Sequence, residues 1–514
     1  MPAEAAYLLL HGGGAWAALW CLLMTAPVAT DTLSPATQPG EPGAAACFVS
    51  VDSVIRQAVE LYRSGEFLEA ERVSSRSTDR KAAADLAEVI RRARREYSLR
   101  VGEIQQKIAT SIPDVTTDDV TRWIAEGKVQ HRKIDGEIRI FRREPGHLFR
   151  FSEEVSRRRA PQQHPAATRP TTAPAWTLDA HLSAVVRAAH EQPDVVEHLP
   201  VRTRVTYAIT VPGGLPEARP GSVVAAWLPF PQPYARQRDV RLLESDPPDP
   251  VVAPPAIDGD PVAGGAQRSV FLRRIIDDPA KPVRFEVKFE YVTSAYYPRL
   301  DDALALPAGD NPLTTYLQER PPHIVFAPEL RAKVAEVVGD DPNPLSRARK
   351  LFYFVDEHLR WTPEEEYSTI PCLSLHGFRR GKGDCGVASM LYISLCRIAG
   401  IPARWQSGWT TNPVGWNMHD WVEIHVEPWG WLPVDPSHGR RKSDDPAVRD
   451  FYFGHTDSYR LIVNLDYGRE LHPPKATLRS EPADFQRGEV ELDGKNLYFD
   501  QWDYEIRFDR DAAP

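Results

Sequence analysis

The sequence predicts an α+β protein in which a helical N-terminal region and an antiparallel β-sandwich-like domain precede a mixed helix-and-hairpin core. Three observations carry this. Residues 51–160 show mostly helical apolar spacing, and residues 200–300 hold short alternating runs separated by turn residues. From Cys385 onward, one apolar helix pattern is followed by two strand patterns. A chain of 514 residues also exceeds what one hydrophobic core supports, which predicts several domains.

Residues 1–30 read as a signal peptide or a membrane anchor. Ala5 to Thr30 holds no Lys, Arg, Asp or Glu, and Leu8 to Met24 is mostly apolar. Cleavage near Ala26 or Ala29 fits the first reading. The lack of a basic residue before the run and the Gly12-Gly13-Gly14 break count against it, and the uncharged length suits an anchor. The expected location is therefore exported (periplasmic, cell envelope or secreted), with a membrane-anchored protein as the alternative. Any membrane attachment would run through this segment, because no other stretch reaches 18 apolar residues. Residues 31–50 form a spacer.

Residues 51–160 then read as a helical region with a helix-plus-hairpin unit. Ala58 to Glu71 gives helix, glycine turn, helix around Gly65, without the repeat that a solenoid needs. Thr116-Thr117-Asp118-Asp119 starts a short helix, and Val129 to Ile140 forms a hairpin about Asp135-Gly136. Its winged-helix outline does not make it a DNA binder. That helix is acidic, and the chain carries 62 basic against 71 acidic residues for a net charge of −9. No nucleic-acid partner is expected.

A Pro-rich linker covers 161–178. The β-sandwich-like domain spans 179–305, with strands at Arg202 to Val211, Val223 to Leu228, Ser269 to Ile275 and Val283 to Val292, and a long loop at Asp246–Gly265. Residues 306–445 form the core, and 446–514 a C-terminal extension packed on it. Five cysteines over this length make no disulfide framework.

Within the core, Met390, Leu391, Ile393, Leu395 and Ile398 recur at helical spacing. Gly400 suits the left-handed position after the helix, and Pro402 stops it resuming. Cys385 therefore starts the helix, where unpaired N–H groups and the macrodipole favour a thiolate and should lower the thiol pKa below about 8.5. Asp420 to Val426 alternates as a strand, with Val422, Ile424 and Val426 on one face and His419, Trp421, Glu423 and His425 on the other. Gly430 marks a turn, and Trp431 to Val434 returns to Asp435-Pro436. Such a hairpin can set Asp435 beside His419, giving a Cys385–His419–Asp435 nucleophilic triad.

Rival bases are His425, further along the strand, and His438, expected in a surface loop. Rival orienting groups are Glu423 and Asp420, the latter pointing opposite to His419. Cys396 reads as a small buried hydrophobe, and Cys372 as a weak candidate redox partner. A zinc site built on Cys372, Cys385, Cys396 and histidines fails on spacing, with no Cys-x-x-Cys or His-x-x-x-His pair. No metal and no cofactor are expected.

Gly383-Asp384-Cys385-Gly386, His419-Asp420-Trp421-Val422-Glu423 and Gly430-Trp431-Leu432-Pro433-Val434-Asp435-Pro436 resemble the motifs of the transglutaminase-like superfamily of papain-type cysteine enzymes. The resemblance covers roughly residues 345–440 and extends to exported bacterial proteins with such a domain. It implies a papain-like core with Cys385, His419 and Asp435 as catalytic residues. It also implies an oxyanion donor from the Cys backbone N–H and a second from an upstream segment. Here that segment is Leu359 to Gly383, containing Trp361, Tyr367 and Cys372, with Trp361 as the candidate. The function implied is thiol-dependent acyl transfer on amide or peptide bonds of a protein or peptide substrate. With water as acceptor it is a protease or amidase, and with an amine a transglutaminase; hydrolysis is preferred because no amine site is readable. The alternative is a non-catalytic cell-envelope binding or scaffold protein that retains the fold.

Overall fold

The computed structural model describes residues 52–159, 176–255, 267–306 and 312–510. The expected signal or anchor at 1–30, the spacer at 31–50 and most of the Pro-rich linker lie outside the described residues. The chain divides into two compact units, residues 1–160 with 320–325, and residues 161–319 with 326–514.

The first unit is helical with one hairpin. Helices α1 (Ser53–Ser64), α2 (Phe67–Ser74) and α3 (Arg80–Glu96) are followed by α4 (Val101–Ala109) and α5 (Thr117–Ala125). Gly65 ends α1 at φ 88°, and a Cβ there would run into the Lys133 carbonyl, so this turn needs glycine. Thr116 and Asp119 form a reciprocal capping box at the start of α5. Strands β1 (His131–Ile134) and β2 (Glu137–Ile140) pair across Asp135-Gly136, both at positive φ as a type I′ turn requires. Short helices α6 (Gly146–Phe151) and α7 (Glu153–Arg158) close the unit. Ile104, Ile108, Val120, Trp123, Ile140, Leu148 and Val155 form its second-half core.

The second unit opens with α8 (Leu178–Glu191) and two antiparallel sheets. Strands β3 (Glu197–Val211), β5 (Gln237–Asp246) and β8 (Val283–Tyr296) belong to one sheet, and β4 (Val223–Pro229), β6 (Val251–Val252) and β7 (Ser269–Ile275) to the other. Inward residues such as Val205, Tyr207, Phe285, Phe289, Leu228 and Leu272 fill the space between them. Strand β5 is an addition to the sequence reading. It is an edge strand with mostly exposed side chains, so its sequence lacks apolar alternation.

The core follows with α9 (Pro328–Val338), α10 (Pro344–His358), β9 (Arg360–Trp361), α11 (Leu373–Arg380), β10 (Lys382–Gly383) and α12 (Cys385–Ile398). Strands β11 (Ala403–Thr410), β12 (Asn417–Val426) and β13 (Gly430–Val434) come next, then the short α13 (Pro446–Arg449) and β14 (Arg460–Asn464). They form an antiparallel sheet in the order β13-β12-β11-β14, on which α12 packs.

The C-terminal segment does not simply pack on the core as an extension. Only β14 joins the core sheet. Strands β15 (Glu489–Leu492) and β16 (Lys495–Leu497) complete the sheet of β4, and β17 (Asp503–Arg510) pairs along β3. The physical reason is that β3 and β4 would otherwise be bare sheet edges. Core and sandwich also share apolar packing. Trp409, Leu461 and Val463 lie in the same cluster as the sandwich residues, with the Trp409 ring 5.6 Å from Tyr207 and 6.5 Å from Phe289.

Trp409→Ala should therefore destabilise by about 3–5 kcal/mol, the cost of emptying a buried indole site. Urea melts followed by fluorescence and by circular dichroism should shift together, because the two sheets' packing fails at once.

Candidate active site

Helix α12 begins at Cys385 with Asp384 as N-cap, whose carboxylate accepts from Val387 N–H at 3.3 Å. The apolar side chains behind it, from Val387 to Leu395, are buried, which fixes the helix against the sheet. Cys385 itself is half-buried. Its backbone N–H belongs to the first turn, which has no intrahelical acceptor.

His419 lies on β12 opposite Gly408. Its Nε2 stands 2.6 Å from Asp435 Oδ2, just beyond the end of β13. A carboxylate there takes the Nε2 proton and leaves Nδ1 as the basic nitrogen. Asp435 is held on all sides. Arg460 donates to Oδ2 at 2.6 Å, and the Ser437 and His438 N–H groups donate to Oδ1 at 3.1 and 2.9 Å. Burial alone would raise this carboxyl, but His419 and Arg460 hold it well below the ordinary range.

The structure thus brings His419 and Asp435 together, while the Cys385 thiol hydrogen-bonds to a different residue. Alternation along β12 puts Asp420, Val422 and Ile424 on the side opposite His419 and Trp421. The Cys385 thiol donates to Asp420 Oδ2 at 3.3 Å, and no hydrogen bond joins it to His419. From sequence, Asp420 reads only as a rival orienting group; its contact with the Cys385 thiol is new. The expected acidification of the thiol is also overridden. Burial pushes the Cys385 thiol well up, and the Asp420 and Asp384 carboxylates push the same way, with the Asp420 backbone N–H opposing.

The remaining candidates sort by contact. Glu423 is buried among Arg236 at 2.6 Å, Arg404 at 2.9 Å and Tyr234 at 2.9 Å, a cluster that ties the sandwich to β12. His425 packs against Trp431. His438, in the turn after β13, is partly buried. Its ring lies 4.9 Å from His419 and 4.7 Å from Tyr452, and burial brings it down to about 3, with Arg460 adding to the effect and Asp435 opposing it. It is therefore a neutral neighbour. The donor atoms of His419, Asp435 and His438 lie within 4.8 Å of one another, as a metal site would need. Arg460, 2.6 Å from Asp435, fills the open side of that carboxylate with a cation, so these residues do not fit a metal ion.

Of the upstream segment, Tyr367 bonds to the residues on either side of Cys385. The Tyr367 hydroxyl accepts Gly386 N–H at 3.0 Å and donates to Asp384 at 2.7 Å. A Cβ on Gly386 would strike the Tyr367 ring, so this position needs glycine. Trp361 is 45% exposed, and it lines a small open cleft of about 40 Å³ with Asp356, Leu359, Asp384, Pro436 and Ser437. Cys372 and Cys396 are buried free thiols, the latter pushed up to about 12 by burial. Sequence reasoning missed Gln486, which donates to Asp420, and Arg460, which donates to Asp435. Both come from distant segments and carry no local signal.

Residues 331–436 match the model of the transglutaminase-like superfamily, the family that the motifs around Cys385, His419 and Asp435 resemble. The uncharacterized protein YebA of Bacillus subtilis (strain 168) is 26% identical over 129 residues, which is 21% of this chain and 17% of YebA. The chain thus matches about a sixth of that relative's length. Among solved structures, a candidate cysteine protease from Cytophaga hutchinsonii aligns with a TM-score of 0.40 and 13% identity, over 61% of this chain and 91% of that one. The periplasmic domain of TgpA from Pseudomonas aeruginosa aligns with a TM-score of 0.22 and 17% identity, over 50% of this chain and 91% of that one.

Limiting iodoacetamide should label Cys385 ahead of the buried Cys372 and Cys396, as mapped by mass spectrometry. Because the thiol is pushed up, the rate should still be climbing above pH 8.5, the free-thiol range. Preferential labelling of Cys396 would remove Cys385 as the reactive thiol.

Proposed function

We propose that this chain, with its transglutaminase-like domain over residues 331–436, is a thiol-dependent acyl-transfer enzyme acting on amide or peptide bonds. The observation that carries the reading is the His419–Asp435 pair at 2.6 Å, which presents Nδ1 as the base in a domain whose helix α12 starts at a half-buried cysteine.

The chemistry follows from those groups. The Cys385 proton passes to His419 Nδ1, and the thiolate attacks the carbonyl carbon of a peptide or carboxamide. The carbonyl electrons move to oxygen, where the Cys385 N–H stands ready to donate. The imidazolium, stabilised by Asp435, then gives its proton to the leaving amine as the C–N bond breaks. Water attacks the thioester, releasing the acid and restoring the thiol. An amine in place of water would give transamidation. Water is the preferred acceptor, since the sequence holds no readable amine site and water is the default acceptor. The exposed Trp361 beside the cleft suits an extended peptide. Export through residues 1–30 remains part of the proposal, and no described helix is long and apolar enough to cross a membrane.

One observation favours the non-catalytic scaffold as a second reading: the thiol rests on Asp420 rather than on His419. The two readings separate on a peptide-amide library supplemented with a labelled primary amine. Hydrolysis abolished by Cys385→Ala supports the enzyme, and mainly amine incorporation would make it a transglutaminase. No turnover of any member, with Cys385 intact, favours the scaffold.

Asp435→Asn should lower kcat/KM by about 10–10³-fold, or about 1.4–4 kcal/mol of barrier. An amide N–H facing Nε2 would move the ring proton to Nδ1, the nitrogen that must act as base. The same variant strips Arg460 of one buried partner and should lower the melting temperature. Unchanged kcat/KM would leave a Cys–His dyad.

A further inference from the structure

The surroundings of Cys385 are acidic on the side away from His419. Asp420 Oδ2 faces the thiol at 3.3 Å. Its other oxygen accepts from Gln486 Nε2 at 2.7 Å, and the same amide donates to the His419 carbonyl at 2.8 Å. This clamp fixes the Asp420 side chain against the nucleophile. The Tyr367 hydroxyl stands 3.3 Å from Asp420 but 2.7 Å from Asp384. Its single proton goes to the nearer carboxylate. The thiol is then the proton donor left for Asp420 Oδ2.

Among the described residues, no cation pairs with Asp420. Asp384 and Asp484 stand near it, and Glu481 and Glu366 lie behind. Arg487, the guanidinium that acts on Asp484, is committed to Glu366 and Glu481. Burial and these carboxylates push Asp420 well above the ordinary range. Two adjacent negative charges on Sγ and Oδ2, removed from water, would repel strongly. The thiol–carboxyl pair therefore keeps one proton between its members.

We propose that Asp420 is a positioning residue that holds the nucleophile in reserve, keeping the Sγ–H proton away from His419 until an entering carbonyl substrate releases the thiol. This rests on Cys385 being the nucleophile of the proposed reaction. On release, the S–H···O contact breaks and the proton moves from Sγ to His419 Nδ1, with no change of oxidation state. The resting thiol is the slow form towards electrophiles and oxidants, because thiolate is the reactive species.

The test uses the full chain and iodoacetamide, with the rate of Cys385 carbamidomethylation read by mass spectrometry from pH 5 to 10. Asp420→Asn, nearly isosteric and uncharged, should move the midpoint of the rate profile down by at least about one unit. It should raise the rate at pH 7 by about tenfold or more, since each unit below the pKa costs about a factor of ten in thiolate. Asp420→Ala should act in the same direction. Continued protection of Cys372 and Cys396 reports that each variant is folded. An unchanged profile in folded Asp420→Asn, or a slower rate, overturns the proposal. A wild-type midpoint well below 8.5 overturns it without any variant. Failure of the proposed function looks different: the wild type turns over no peptide while the Asp420→Asn shift persists.

Discussion

The buried Asp435 carboxylate is the point at which the side chains and turns of three core segments meet. It accepts from His419 of β12, from the Ser437 and His438 backbone of the turn that follows β13, and from Arg460 of β14. Arg460 carries the connection further, donating to Asp457 at 2.9 Å, which in turn accepts from Tyr452 and from Tyr459 N–H. Leu461 and Val463, on the strand so anchored, enter the apolar core of the sandwich. A charge at the site is thus coupled to packing well away from it. Removing either partner of such a pair leaves an uncompensated buried ion, which costs about 3–5 kcal/mol.

The two faces of β12 carry opposite electrostatics. On the His419 face, Arg460, Arg236 and Arg404 hold Asp435 and Glu423 ionised. On the Asp420 face, carboxyls outnumber cations, and Asp420 and Asp484 are pushed well up. One strand, about one residue thick, separates a carboxylate kept charged from a carboxyl that favours its proton. Splitting like groups apart in this way is how a fold assigns one of them to charge stabilisation and another to proton holding. The signs differ for stability too. Asp435 stabilises above the ordinary carboxylate range near pH 4 and loses that contribution as pH falls. Asp420 binds its proton more tightly when folded, so its contribution weakens as pH rises through that range.

How legible this was in the sequence depended on the range of the interaction. The α12 helix could be read from five apolar positions and its Gly400–Pro402 ending, and Gly400 does adopt φ 75°. The β12–β13 hairpin followed from alternation and the Gly430 turn, and its register sets Val422 opposite Val434, leaving Asp435 next to the His419 face. Both rest on local periodicity. The Asp420–thiol contact could not be read, because alternation says only that Asp420 faces away from His419, and how α12 docks there is a tertiary matter. Arg460 and Gln486 enter from far along the chain. Strand β5 escaped for a different reason: an exposed edge strand has no buried face to impose alternation.

The way the sandwich is completed has a consequence for how the protein is made. Its sheets are begun by β3 to β8 and finished by β15 to β17, with the whole core in between. During translation the core emerges from the ribosome while β3 and β4 still lack their last neighbours. The sandwich cannot close until the strand ending at Arg510 has been synthesised. A chain broken off before that point would carry a complete core beside two unpaired sheet edges. Such edges recruit other strands, so incomplete copies are marked for aggregation or clearance before they can act.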